Sequence, residues 1–433
     1  MDALSLIQAI TLCLGFYMAW NIGANDVANA MGTSVGSRAL SLKRAVFLAA
    51  CLEFSGAFFI GSDVSKTIQN GIIEPTVFVG EPMVFILGMM GALLATGVLL
   101  QLASYYGLPV STTHAIVGSV LGFGVCLGGV QAVYWGELGW IIASWILSPV
   151  LSGLISFAIF SLIQTKILYA LDPFRATQKW APYFVFLCLS IVTLALVYNG
   201  LNLSLSFFSY SLPLALLVGA AAFLSSRFLI QKQLEPHLAN MAFQDLRKGE
   251  QEEISDVRNR EEAHVGVEKI FISLQILSAC LVAFAHGAND VANAIGPVSA
   301  VLNAIQTNTI LECTVVPLWL LAFGGCGIVL GLATWGWRVI ETIGKKITEL
   351  TPTRGFSAEF GAATTILFAS KAGLPISTTH ALIGAVLGVG MVRGLKTLNL
   401  QIIQEIAISW IVTIPLCALL SIGAFYLLKF CLL

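Results

Sequence analysis

Gly23-Ala24-Asn25-Asp26-Val27-Ala28-Asn29-Ala30 is the stretch that decides how this chain is read, because it returns letter for letter at Gly287–Ala294. A second phrase is duplicated too: Pro109-Val110-Ser111-Thr112-Thr113-His114-Ala115 comes back as Pro375-Ile376-Ser377-Thr378-Thr379-His380-Ala381. The copies of the first phrase lie 264 residues apart and those of the second 266. Two polar phrases kept in order at nearly one offset mean an internal repeat. Both sit inside apolar sequence, where a polar group costs free energy unless it has a partner. Their presence there marks a site.

Composition sets the class. Of 433 residues, 57% are hydrophobic and only 10% charged, against about 25% charged in soluble domains. The chain is therefore expected to be an all-α polytopic membrane protein. A net charge of −1 gives no field for nucleic acid. Nine scattered cysteines without a CxxC pair read as small buried hydrophobes rather than metal or redox groups. The first Lys or Arg is Arg38, which argues against a cleaved signal or transit peptide.

A membrane helix needs ~20 apolar residues. Apolar spans read at Leu4–Met31, Ala45–Ile60, Met83–Leu102, Ala115–Leu127, Trp140–Ile163, Tyr183–Tyr198, Leu212–Ile230, Ile270–Ile295, Val315–Ile340, Ala358–Ala369, Ala381–Val392 and Ile402–Leu428. The short pair around Pro375 makes one helical hairpin, and Met83–Leu127 around Pro109 is its counterpart. That gives about 12 segments, two hairpins included. Orientation follows Lys and Arg in short loops. Arg38, Lys43 and Arg44 put the loop after the first octapeptide inside, whereas Gly296–Glu312, after the second, has no basic residue and lies outside. Ser62–Pro82 and Gly128–Gly139 read as outside, while Lys166, Arg175 and Lys179, then Lys345, Lys346 and Arg354, and finally Arg393 and Lys396, mark inside loops. Both termini are expected outside. The same motifs with opposite charge bias are the signature of two inverted-topology repeats. They occupy 1–165 and 270–433, separated by two central segments in 166–230 and a charged cytoplasmic loop, 231–269.

The motifs carry chemistry. Asp26 and Asp290 lie mid-membrane with no Lys or Arg nearby in sequence, and an Asp there costs roughly 2.5–3.5 kcal/mol. Each is expected to be protonated or to hold a cation. Asn25, Asn29, Asn289 and Asn293 add amides, with Asn25 and Asn29 on one helix face. Gly23 and Gly287 mark places where a membrane helix could break and free carbonyls for an ion. Oxygen-only ligands suit a hard cation. Glu53, alone in an apolar run, reads equally as a third cation ligand or as an acid hydrogen-bonded to a helix end. Pro109 and Pro375 end the preceding arms, and Ser111, Thr112, Thr113, Ser377, Thr378 and Thr379 offer hydroxyls at the next helix starts. A helix N-terminus binds an anion through free N–H groups, so two facing termini would form an anion cage near the midplane. His114 and His380 read as structural hydrogen-bonders, and Arg354 with Glu359, unmatched in the first half, as an interfacial ion pair.

At these residues the chain resembles the inorganic phosphate transporter family, whose hallmark is the duplicated Gly-Ala-Asn-Asp motif. The resemblance covers both halves and both copies of each phrase. It implies cation-coupled uptake of inorganic phosphate by a homodimer in which a transport region moves against a scaffold. It implies that Asp26, Asn29, Asp290 and Asn293 are cation and phosphate ligands and that the six hydroxyls face phosphate. The expected protein is then a secondary transporter of a bacterial inner membrane, in contact with lipid and without a cofactor or enzymatic activity. Phosphate would be held by Asn29, Asn293 and the six hydroxyls, and Na+ or H+ by Asp26, Asn25, Asp290, Asn289 and Glu53. A sulfate permease of the same fold and an anion channel are the rivals. The absence of a nucleotide motif argues against a primary pump.

Overall fold

A computed structural model of the chain describes residues 3–108, 110–200, 207–247, 252–307, 316–337, 339–340, 351–392, 394 and 400–433. Pro109, Lys345, Lys346, Arg393 and Lys396, used above for the hairpin and the orientation, lie outside them. Thirteen α-helices occupy the described residues. They are α1 Ala3–Gly36, α2 Leu42–Ile60, α3 Ser62–Asn70, α4 Pro82–Tyr105, α5 Thr112–Gly128, α6 Trp135–Ile163 and α7 Pro173–Ala195, then α8 Leu212–Arg247, α9 Glu252–Thr307, α10 Leu318–Thr334, α11 Pro352–Lys371, α12 Thr378–Val392 and α13 Leu400–Leu432. Strand pairing among the described residues is limited to one isolated bridge, Ile73 to Val133. The chain is all-α, as composition requires, and passes the membrane several times.

By length and apolarity seven helical stretches can cross a bilayer, or eight if α2 and α3, bent by 65°, count as one. α5, α10 and α12 are apolar but shorter. Twelve segments are therefore not reached by length alone. Three expected loops are largely helical instead; in Gly296–Glu312 α9 continues to Thr307, and 308–312 lie outside the described residues. Ser62–Pro82 contains α3, which buries Val64 and Ile68 and packs on α9. The charged stretch 231–269 continues α8 as far as Arg247 and opens α9 from Glu252, with 248–251 outside the described residues. Its Glu, Lys and Arg are good helix formers, so high charge there did not mean loop. The cysteines differ too: Cys188 and Cys417 are buried, whereas Cys13, Cys51, Cys126, Cys326 and Cys431 face outward. In a bilayer an outward apolar side chain meets lipid at no hydrophobic cost.

The halves interlock. α1 packs on α10, and α9, its repeat counterpart, packs on α2. α1 also touches α4, as α9 touches α11. The first hairpin, α4–α5, is clasped by α13; the second, α11–α12, by α6. Each hairpin turns through a glycine in left-handed backbone, Gly107 at φ 65° and Gly373 at φ 67°, which a side chain would strain. α7 and α8 pack on each other between the halves.

No helix breaks at the octapeptides. α1 and α9 run straight through them, and Gly23 and Gly287 serve close approach instead. A Cβ on Gly23 would lie 1.9 Å from the Ile328 carbonyl oxygen, and one on Gly287 would lie 2.0 Å from that of Glu53. Intact helices keep their carbonyls in internal hydrogen bonds, so ligands here must come from side chains.

Candidate functional site

The octapeptide side chains are buried where α1 and α9 cross near the hairpin tips. Each Asn anchors in a matched way. Asn25 Nδ2 donates to Ser104 Oγ at 3.0 Å and to the Leu108 carbonyl at 3.4 Å. Asn289 Nδ2 donates to Ser370 Oγ at 3.0 Å and to the Leu374 carbonyl at 3.2 Å. Each octapeptide is thereby tied to the end of its own hairpin's first arm. The second Asn of each copy crosses to the other half. Asn29 Nδ2 donates to Thr379 Oγ1 at 2.8 Å and to Asp26 Oδ1 at 3.2 Å. Asn293 Nδ2 donates to Thr112 Oγ1 and Thr113 Oγ1, both at 3.3 Å.

The hydroxyls divide their work. Ser111 and Ser377 are true N-caps, accepting the backbone N–H of His114 and His380 at 3.2 Å. Thr112 and Thr378 turn to the acids: Thr112 lies beside Asp26, and Thr378 Oγ1 donates to Asp290 Oδ2 at 2.9 Å. Thr113 Oγ1 donates to the Ile376 carbonyl at 2.9 Å, tying one hairpin tip to the other. His114 and His380 meet, with ring centroids 4.4 Å apart. All eight residues expected around an anion, and the four Asn and Asp residues expected around a cation, thus fall in one buried cluster.

Sequence reading missed His286. Its Nε2 lies 2.9 Å from Asp290 Oδ2 and its Nδ1 3.3 Å from Glu53 Oε2. The signal was present, since His286 precedes Asp290 by four residues on a helix. Glu53 therefore meets an imidazole, not a helix end. Asp26, His286 and Asp290 offer ligand atoms within 4.8 Å of one another. At an effective dielectric of ~20, two like charges at that separation repel by about 3.5 kcal/mol, a repulsion that a cation between the carboxylates would offset. Asn25 Oδ1, Asp26 Oδ2, Asn289 Oδ1, Asp290 Oδ1 and Asn293 Oδ1 are buried and accept no hydrogen bond among the described residues. Buried oxygens without donors are what a hard cation completes.

Glu359 also departs from expectation. It is fully buried and accepts from Thr33 Oγ1 at 2.5 Å, Ser34 Oγ at 2.7 Å, Ser278 Oγ at 2.5 Å and Gln275 Nε2 at 3.4 Å. Hydroxyls from two helices, α1 and α9, and the Gln275 amide, not an interfacial Arg, take up its hydrogen-bonding capacity.

A family model described as the phosphate transporter family matches residues 22–421. The chain belongs to that family. The transporter is 48% identical over 423 residues to inorganic phosphate transporter 2-1 (chloroplastic) of Arabidopsis thaliana, covering 96% of this chain and 71% of that one. It is 46% identical to a candidate phosphate permease of Chlamydia pneumoniae, covering 98% and 99%. The solved structure of a sodium-dependent phosphate transporter superposes with a TM-score of 0.86 at 40% identity, covering 98% of this chain and 99% of that one. These relatives are transporters and permeases, not enzymes.

Proposed function

We propose that this transporter imports inorganic phosphate together with sodium across the inner membrane of a bacterium. The observation that carries the reading is the set of donor-free buried oxygens lying beside two capped helix N-termini. Sodium sits on Asp26 and Asp290 with Asn25 and Asn289, and Glu53 steadies the group through His286. Phosphate sits against the first turns of α5 and α12, held by Asn29, Asn293, Thr112, Thr113, Thr378 and Thr379, with Ser111 and Ser377 fixing the turns. Sodium offsets the charge of two carboxylates and an oxyanion in one buried cluster, so neither ligand is held well without the other. That mutual dependence is the coupling.

The matched packing supports two inverted repeats, 1–165 and 270–433, around the central pair in 166–230 and the charged stretch 231–269. Counting both hairpin arms gives twelve segments with both termini outside. We place the protein in lipid as a homodimer, in which the hairpins and octapeptide helices move against the remainder.

Radiolabelled phosphate uptake into proteoliposomes tests the reading. Uptake stimulated by an inward sodium gradient and untouched by excess sulfate is expected. Stimulation by a proton gradient alone would replace sodium by H+. Competition by sulfate would make the protein a sulfate permease, and indifference to both gradients an anion channel.

A further inference from the structure

The two hairpin tips meet at one joint, and a residue from neither hairpin enters it. His114 and His380 hold matched places in the duplicated phrase, and their rings stand edge to face. Matched residues that touch lie on the axis relating the two copies. Trp145 of α6 reaches this point. Its ring lies 3.9 Å from that of His114, on the first tip. Its indole N–H donates to the Pro375 carbonyl at 3.0 Å, on the second tip, and His380 faces its main chain. The residue is buried, at 6% exposure, whereas its neighbours Ile146 and Leu147 are 67% and 54% exposed. The phrase Ser144-Trp145-Ile146 recurs as Ser409-Trp410-Ile411, 265 residues later. Trp145 thus belongs to the duplicated part of the chain rather than to lipid-facing filler.

What Trp145 holds is the segment that aims α12. Pro375 and Ile376 lead into the N-cap Ser377. The Pro375 carbonyl is fixed by the Trp145 indole, and the next carbonyl, that of Ile376, by Thr113 of the opposite hairpin. Two consecutive peptide planes before a helix start are therefore pinned from two sides. The direction of the first-turn N–H groups follows from those planes. A second hydrogen bond from α6 to this hairpin lies past the tip: Ser152 Oγ donates to the Ala381 carbonyl at 2.6 Å, inside α12.

We propose that Trp145 is a positioning residue for the anion, locking Pro375–Ser377 against the first hairpin so that the N-termini of α5 and α12 address one oxyanion. This rests on the phosphate reading above. Trp145 touches neither the anion nor the cation ligands; its effect passes through the tip.

The test uses purified full-length protein, with [32P]phosphate binding in detergent at saturating sodium and uptake in proteoliposomes. Trp145→Phe keeps a ring beside His114 and loses the indole donor. It is expected to raise the half-saturating phosphate concentration roughly three- to tenfold, the worth of one hydrogen bond. Maximal rate should stay within about twofold, and half-saturating sodium, measured at saturating phosphate, should not move. Trp145→His restores an N–H on a ring and is expected to recover part of the affinity. Ser152→Ala, which loosens α6 elsewhere, should leave the phosphate constant unchanged. An unchanged phosphate constant in Trp145→Phe would overturn the proposal. So would equal shifts in the phosphate and sodium constants, or the same shift in Ser152→Ala, because either is plain loosening. Wild-type protein that binds no phosphate would overturn the functional reading and this inference with it, a result distinct from a flat Trp145→Phe.

Discussion

The two octapeptides are identical in letters and unlike in surroundings. Around the first, α1 crosses α10 with Gly23 on the Ile328 carbonyl; around the second, α9 crosses α2 with Gly287 on the Glu53 carbonyl. The places match, so Glu53 stands where the other copy has Ile328. His286 likewise stands where the first copy has Ile22. One crossing holds an acid–base pair 3.3 Å apart; the other puts two isoleucines in the same positions. Duplication supplied two equal sets of polar side chains, and divergence around them made their surroundings inequivalent. Asp290 has an imidazole and a threonine hydroxyl as neighbours, whereas Asp26 has a threonine and Asn29.

The largest effects should come from the acids themselves. Asp26→Asn or Asp290→Asn removes a charged ligand from a buried site, a change of about 3–5 kcal/mol, and coupled uptake should fall by two orders of magnitude or more while the protein still inserts. Normal sodium-dependent uptake by both variants would end the ligand assignment. The acid–base pair itself comes next. Glu53→Leu alone leaves His286 Nδ1 without its carboxylate and should cost about 3 kcal/mol of stability. The double variant Glu53→Leu, His286→Ile imitates the first crossing and should recover most of it. Melting of both variants in detergent measures the coupling; equal melting temperatures would mean the two crossings differ in letters only.

Smaller effects sharpen the comparison at the tips. Thr113→Val loses the bond to the Ile376 carbonyl as well as its hydroxyl beside Asn293. Thr379→Val loses only its contact with Asn29. Half-saturating phosphate should rise about tenfold in the first and about threefold in the second, and the reverse order would contradict the division of work among the hydroxyls. Last come the anchors. Ser104→Ala and Ser370→Ala each remove an acceptor of an octapeptide Asn and should each lower stability by about 1 kcal/mol, read as matched drops in melting temperature.

The duplicated phrases, the membrane class, the hairpins and the clustering of the Asn, Asp, Ser and Thr side chains were legible because polar letters in apolar sequence stand out and appear twice. His286 was not, because an imidazole can stand neutral and its partner Glu53 lies on another helix. Glu359 was misread for the same kind of reason: its partners Thr33, Ser34, Gln275 and Ser278 come from two distant helices. Gly23 and Gly287 read as breaks in sequence and are close-approach points in the fold, because a glycine's letter does not say whether the backbone bends or another backbone passes close by. Trp145 sits in a run of apolar residues whose periodicity marks no inward face.

The interlocking of the halves bears on how the protein is made. Gly23 finds its partner backbone at Ile328, some 300 residues later in synthesis. The first half must therefore wait in the bilayer with its octapeptide helix ungrasped, lacking both α10 and the clasp of α13. Folding of such distant pairings is slow, and the waiting species is exposed to misassembly. A ribosome that stops after the first repeat leaves a chain with a buried acid and no crossing helix. That makes membrane quality control, rather than transport, the first filter that a variant at these crossings must pass.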